Sequence, residues 1–247
     1  MLCYTGRVAA PRMRPLPARR TAIPLASVGA VLLFAGLLLT WAVAAGESAM
    51  NARDLVINTW IRDLAIQWPF LDTLGNVFSW FADSDRNFFT IPIVIVTLLA
   101  FRQWRWAIFF VVASEGGFLL SNVIKHLVGR ERPPFLDFTG DALYTSFPSG
   151  HTFSGITVWV SISLLLFYLL PRPWSTVLGC VPLVIGLMNG PSRLLLGKHW
   201  ISDVVGSWLL AGGWLLLTWA AFLWFLAPRS SPEQLRARRD SNPQPTG

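Results

Sequence analysis

Charge is what this chain has least of. Asp, Glu, Lys and Arg together make up 13% of its residues, about half the roughly 25% of an ordinary soluble domain. With 53% apolar residues and a mean hydropathy of +0.52, so little ionisable surface argues against a water-soluble globule. Cysteine is scarcer still. Cys3 sits in a basic N-terminal arm and Cys180 within an apolar run, so neither a disulfide framework nor a thiolate metal site is expected. Internal repeats are absent too. The net charge of +7 would suggest nucleic acid in a soluble protein. Here the position of the charges matters more than their sum.

What the chain has in quantity is apolar runs and tryptophan. Thirteen Trp residues suggest aromatic belts at a membrane–water boundary. A spanning helix needs about 20 apolar residues, within a range of about 17–25. Six stretches qualify or come close: Ile23–Ala45, Asn87–Phe101, Trp106–Ile124, Thr152–Leu170, Trp174–Gly190 and Val204–Leu226. The second is short unless its helix begins back near Phe81. Pro171 and Pro173 punctuate the turn between the fourth and fifth. Arg19 and Arg20 before the first run, with Ala42-Val43-Ala44 near its end, have the look of a signal peptide. That run is longer than the 7–15 residues of a signal core, so it reads as a span. The expectation is an all-α integral membrane protein, a six-transmembrane-helix bundle over residues 23–228. A basic cytoplasmic arm (1–22) precedes it, and a disordered cytoplasmic tail (229–247), rich in Pro, Ser and Arg, follows.

Orientation follows the distribution of Lys and Arg. With the N-terminus inside, Arg7, Arg12, Arg14, Arg19, Arg20, Arg102, Arg105, Arg172, Arg229, Arg236, Arg238 and Arg239 are all cytoplasmic, against only Glu233 and Asp240. Both termini are then cytoplasmic. Between the first two spans, Asn51–Trp80 carries Leu55, Trp60, Ile61, Leu64 and Trp68 at spacings that suggest an amphipathic helix in the interface. It would serve as a packed cap over the bundle or as a lipid-admitting rim.

On the outer face, three polar clusters end apolar helices. They are Lys125 to Pro133, Phe147-Pro148-Ser149-Gly150-His151, and Ser192 to Asp203. Lys125, Arg132 and Arg193 are cations at a membrane boundary, where charge is costly and usually functional. Arginine presents paired donors matched to phosphate oxygens, and lysine a compact point charge. Ser149, Gly150 and His151 open a helix whose free N–H groups favour an anion, and glycine lets the backbone come close. His199 and Asp203, four apart at the start of the last span, share a face. A carboxylate on one imidazole nitrogen leaves the other free to attack, and His151 from another helix can act as general acid. Each piece alone has a plainer reading: a structural His–Asp hydrogen bond, a helix cap, a headgroup-binding cation. Their joint occurrence on one face favours a phosphate site.

The three clusters resemble the signature of the type 2 phosphatidic acid phosphatase superfamily: Lys-x6-Arg-Pro, Pro-Ser-Gly-His and Ser-Arg-x5-His-x3-Asp. Every defining position matches without a gap, and the resemblance covers roughly Asn51 to Leu226. It implies a six-helix bundle and a phosphatase that needs no metal or other cofactor and works through a phosphohistidine. By motif position His199 is the nucleophile, Asp203 its orienter and His151 the proton donor. Lys125, Arg132, Ser149, Gly150 and Arg193 hold the phosphate. The implied partners are a lipid phosphate substrate and membrane lipids, without nucleic acid. Phosphatidic acid, phosphatidylglycerol phosphate, undecaprenyl diphosphate and a lipid A phosphate all fit, and a bacterial cytoplasmic membrane is the expected setting. Oligomeric state stays open.

Some residues depart from the pattern or lie outside it. Glu131 stands where many relatives carry proline, Lys198 precedes the nucleophile where an apolar residue is common, and Gly206 and Ser207 follow Asp203 in shifted register. Lys198 and Arg130 are each either an aid to a second phosphate or a solvated charge. His126 reads as structural. Glu115, about 15 Å along the helix from Lys125, reads as a hydrogen-bond donor in helix packing. Six spans argue against the soluble haloperoxidases that share these motifs. The full set of His151, His199 and Asp203 argues against a protein that merely binds anionic headgroups, and a transporter would show paired repeats. The charge distribution yields a topology prediction. Single cysteines at Asp141 and Gly197 label from outside intact cells, and those at Arg105 and Arg238 do not; the reverse pattern would turn the site to the cytoplasm.

Overall fold

The structure, a computed structural model, describes residues 14–135, 145–172 and 174–227, without the side chains of 84–86. Cys3, most of the basic arm and the tail expected to be disordered lie outside the described residues. Among the described residues every regular element is helical. In chain order these are α1 (Ala22–Ala45), α2 (Glu47–Gln67), α3 (Pro69–Phe81), α4 (Ser84–Ala100), α5 (Trp104–Val128), α6 (Gly150–Leu169), α7 (Trp174–Leu195) and α8 (Ile201–Leu226). A π-helical stretch, Gly155–Val160, lies inside α6, and another, Phe222–Leu226, ends α8.

Five of these, α1 with its 3-10 lead-in and α5 to α8, are long and apolar enough to cross a membrane. Their outward surfaces are dense with exposed Leu, Val, Phe and Trp, the signature of an integral membrane protein. α4 is the short one, at 17 residues. It does not reach back to Phe81, because α3 ends there and the chain turns at Ala82 and Asp83. Several helices run past their apolar stretches. α5 continues to Val128, carries Lys125 in its last turn and stops at Gly129, whose φ of 65° is the left-handed cap that glycine favours. α7 continues to Leu195 and so holds Arg193 in its last turn.

In lipid, apolar side chains gain nothing from leaving their surroundings, so helices associate through close packing of small residues. α1 shows this plainly. Its buried residues are Ala22, Gly29, Gly36 and Val43, a single stripe repeating every seven positions, and the stripe lies against α8. A Cβ on Gly213 of α8 would lie 2.7 Å from Leu33 N and 2.8 Å from Gly29 O. α6 and α7 approach as closely where Gly155 meets Gly186. Larger side chains fill the middle and one end of the bundle: Phe109, Phe110, Ala113 and Leu210, then Trp106, Tyr168, Trp219 and Phe222 stacked together.

The segment expected to be one amphipathic helix is two, broken at Trp68–Pro69, where proline starts α3. Its polarity is turned around relative to a soluble cap. α2 buries Asp54, Asn58 and Ala65, while Leu55, Val56, Trp60, Ile66 and Trp68 stay exposed. α3 continues the outward apolar surface with Phe70, Leu74, Val77 and Trp80. The pair is tied inward by polar bonds and presents hydrocarbon outward. The close approach of α1 and α8 generates a prediction. Gly213→Ala, which must push α1 away, destabilises by about 1–3 kcal/mol, read as a lower Tm in detergent. Gly212→Ala, whose Cβ would meet only Leu32 Cδ1 at 3.8 Å, does not. Equal Tm values for the two would show that close approach does not hold α1.

Candidate active site

Four helix ends converge on one region. α5 delivers Lys125, the start of α6 delivers Ser149, Gly150 and His151, the end of α7 delivers Arg193, and the α7–α8 loop delivers Lys198 and His199. His199 is 2% exposed and Asp203 fully buried. The two do not share a helical face as the spacing suggests, because His199 lies before the helix. Trp200 is the N-cap, in an extended conformation, and Asp203 is the third residue of α8. The carboxylate folds back over the cap. Asp203 Oδ2 accepts the Trp200 N–H at 3.0 Å and sits 3.2 Å from His199 Nδ1. It also accepts the Ser146 hydroxyl, whose oxygen is 3.4 Å from the same ring nitrogen. With Nδ1 so occupied, Nε2 is the ring atom left to react.

The other carboxylate oxygen is held by a residue that the sequence left between two roles. Arg130 is neither a phosphate ligand nor a solvated charge. It is completely buried, donates from Nη1 to Asp203 Oδ1 at 2.6 Å and from Nη2 to Asp54 Oδ2 at 2.8 Å, and lies over the Trp200 ring. Nε and Nη2 also reach Asn51 Oδ1. A guanidinium out of water needs all its donors answered, and α2 supplies the answers. α2 also holds the nucleophile loop directly. Asn58 donates to His199 O at 2.7 Å and accepts Ile201 N–H at 3.0 Å, and Arg62 bridges Asp72 and Leu195 O. Asp54, Asn58 and Ser146 were missed in the sequence because nothing local marks them. For Asp54 and Asn58 the one signal is the helical spacing of polar residues at 51, 54, 58 and 62.

The cations gather around the ring. Burial, then the charges of Arg193, Arg132 and Lys125, push the His199 imidazole well below its ordinary value, which favours its neutral form. Arg193 is buried and bonded to the Ser79 hydroxyl through Nη1, while its Nε–H has no protein partner among the described residues. Such a donor suits an anion. Arg132 Nη1 donates to Lys198 O, and Lys125 Nζ donates to Thr145 O, its stem close enough that a Cβ on Gly150 would lie 3.8 Å away. Ser149 caps α6, its oxygen accepting from the Thr152 N–H and hydroxyl. His151 lies within electrostatic reach of Arg193, His199, Lys198 and Arg132.

Three remaining expectations resolve differently. Lys198 is half-buried and its ammonium makes no hydrogen bond or ion pair among the described residues; burial, then Arg193 and Arg132, lower its pKa. His126 is exposed and bonds back to Asn122 O in its own helix. Glu115 is not a packing donor. It points outward beside exposed Phe118 and Leu119, because α5 turns Ala113, Ser114 and Gly117 inward. The site chemistry generates a direct prediction. Because burial and the neighbouring cations lower the His199 pKa, 15N NMR shows this ring titrating below the about 6.5 of a free imidazole. A ring half-protonated at pH 6.5 or above would contradict this electrostatic picture.

Comparison with known proteins agrees with this architecture. Residues 104–227, half of the chain, match the model of the PAP2 superfamily. Over 145 residues the chain is 31% identical to the lipid A 1-phosphatase of Rhizobium etli, a match covering 53% of this chain and 58% of that one. Over 174 residues it is 25% identical to phosphatidylglycerophosphatase B of Bacillus subtilis, covering 68% and 83%. An undecaprenyl-diphosphatase of Sulfolobus acidocaldarius is 26% identical over 61% of this chain and 71% of its own. In fold, the chain superposes with a TM-score of 0.61 on the crystal structure of a transmembrane PAP2-type phosphatidylglycerolphosphate phosphatase from Bacillus subtilis, 23% identical, covering 78% and 94% of the two chains. The chain thus spans a little over half the length of the Rhizobium relatives it matches. With its helices, its motif residues and the family match in agreement, the chain belongs to the PAP2 superfamily.

Proposed function

We propose that this protein is a metal-independent lipid phosphate phosphatase that hydrolyses a phosphate monoester or diphosphate through a phosphohistidine on His199. The observation that carries this reading is the buried His199 ring, with Nδ1 held by Asp203 and Nε2 left to react amid Lys125, Arg132 and Arg193. In the first step Nε2 attacks phosphorus, the bond to the lipid oxygen breaks, and His151, which carries a proton once the bound phosphate offsets the neighbouring cations, gives that oxygen its proton. In the second, water attacks phosphorus, His151 takes the water's proton, and His199 is released. Ser149, Gly150 and the three cations hold the phosphate oxygens as charge builds on them. The names of the relatives, which act on lipid A, phosphatidylglycerophosphate and undecaprenyl diphosphate, support a lipid phosphate as substrate.

The setting belongs to the same proposal: six spans with α4 as the sixth, both termini cytoplasmic, and the site at the outer face of a bacterial cytoplasmic membrane. Support comes from the basic residues of the cytoplasmic segments and from the convergence of the site on helix ends at one side. Among the described residues no group of three or more His, Cys, Asp or Glu could hold a metal ion, and the cations supply the charge that a metal supplies elsewhere. The test is phosphate release by the purified full chain from those four lipid classes, in detergent with excess EDTA. Release from at least one persists under chelation, and His199→Ala reduces it to background. Activity lost on chelation and restored by Mg²⁺, or release that survives His199→Ala, would overturn the reading.

A further inference from the structure

Asp203 is reached by a second carboxylate from outside the motifs. Asp54, 5% exposed on the inward face of α2, shares the Arg130 guanidinium with Asp203. Ser202 closes the set, accepting from Arg130 Nη1 at 2.6 Å and donating to Asp54 Oδ2. One cation therefore stands between two carboxylates, and the buried group carries one surplus negative charge. An Arg130 paired with Asp203 alone would neutralise it. An Arg130 divided between Asp203 and Asp54 does not.

We propose that Asp54 is a positioning residue for catalysis, holding part of the Arg130 charge so that Asp203 keeps a net negative charge for the His199 ring. This rests on the phosphohistidine reading above. When Nε2 bonds to phosphorus, Nδ1 keeps its proton and the ring passes from neutral to cationic. When water displaces it, the N–P bond breaks and the ring returns to neutral. A surplus negative charge 3.2 Å from Nδ1 through Asp203 favours the first step and opposes the second. Asn51, whose Oδ1 accepts from Arg130 Nε and Nη2, is an uncharged neighbour in the same shell. The two positions allow the charge to be changed in either direction with little change of shape.

The experiment follows the two half-reactions of the full chain in detergent, by rapid quench with a radiolabelled lipid phosphate and a chase of the acid-labile phosphoenzyme. Asp54→Asn keeps an oxygen for Arg130 and Ser202 but removes the charge. It slows phosphoenzyme formation on the order of tenfold while its breakdown is unchanged or faster, with KM little altered. Asn51→Asp adds a charge at the same guanidinium and does the opposite, so it decides the matter if Asp54→Asn fails to fold. A merely structural role would slow both steps together, and that result, or no change in either variant, would overturn the proposal alone. A wild-type protein that forms no phosphoenzyme would overturn the phosphohistidine reading and this proposal with it.

Discussion

The site depends on a carboxylate with no contact with water. Asp203 is fully buried, and a buried carboxylate is tolerable only when its lone pairs are answered. Oδ2 meets the Trp200 N–H, the Ser146 hydroxyl and the His199 ring, and Oδ1 meets Arg130. These four partners come from the end of the α7–α8 loop, the residues just before α6, and those just after α5. Holding the carboxylate therefore draws the motif-bearing segments together before any phosphate is considered. The same bonds fix which imidazole nitrogen is occupied, so assembly of the fold and selection of the reactive atom are one event.

The cost of that arrangement falls on Arg130, which also lies entirely out of water and brings α2 into the site. Through Asp54, Asn51 and Asn58, α2 touches the guanidinium, the backbone of His199 and the start of α8. A helix without any motif residue thus fixes where His199 sits. Burial of ions explains why: each one taken from water demands a partner, and the partners lie one helix further out.

Much of this was legible in the sequence, and what was not has physical reasons. Lys125, Arg132, Ser149, Gly150, His151, Arg193, His199 and Asp203 stood out because charged and nucleophilic residues at the ends of apolar runs are costly without a use. Apolar runs located the spans but not their ends, since Lys125 and Arg193 lie in last turns of helices that outrun their apolar stretches. Asp54 and Asn58 were silent because their partners lie 76 and 141 residues away. Arg130 was ambiguous because a cation beside two phosphate-motif residues looks the same in sequence whether it faces the phosphate or the core. The amphipathic segment expected between the first two spans is present as α2 and α3, with apolar residues outward, whereas Glu115, expected to pack inward, is exposed. At 17 residues α4 lies at the lower limit of length for a span.

The outward hydrocarbon of α2 and α3 has a consequence for how this protein is handled. Val56, Trp60, Ile66, Trp68, Phe70 and Trp80 must rest on something apolar, and the opposite side of α2 grips the His199 carbonyl and the Ile201 N–H. The medium around the molecule therefore lends mechanical support to the His199 loop through α2. Exchange of bilayer for micelle alters the load on that support, so a turnover number carries the imprint of its amphiphile as well as of its side chains.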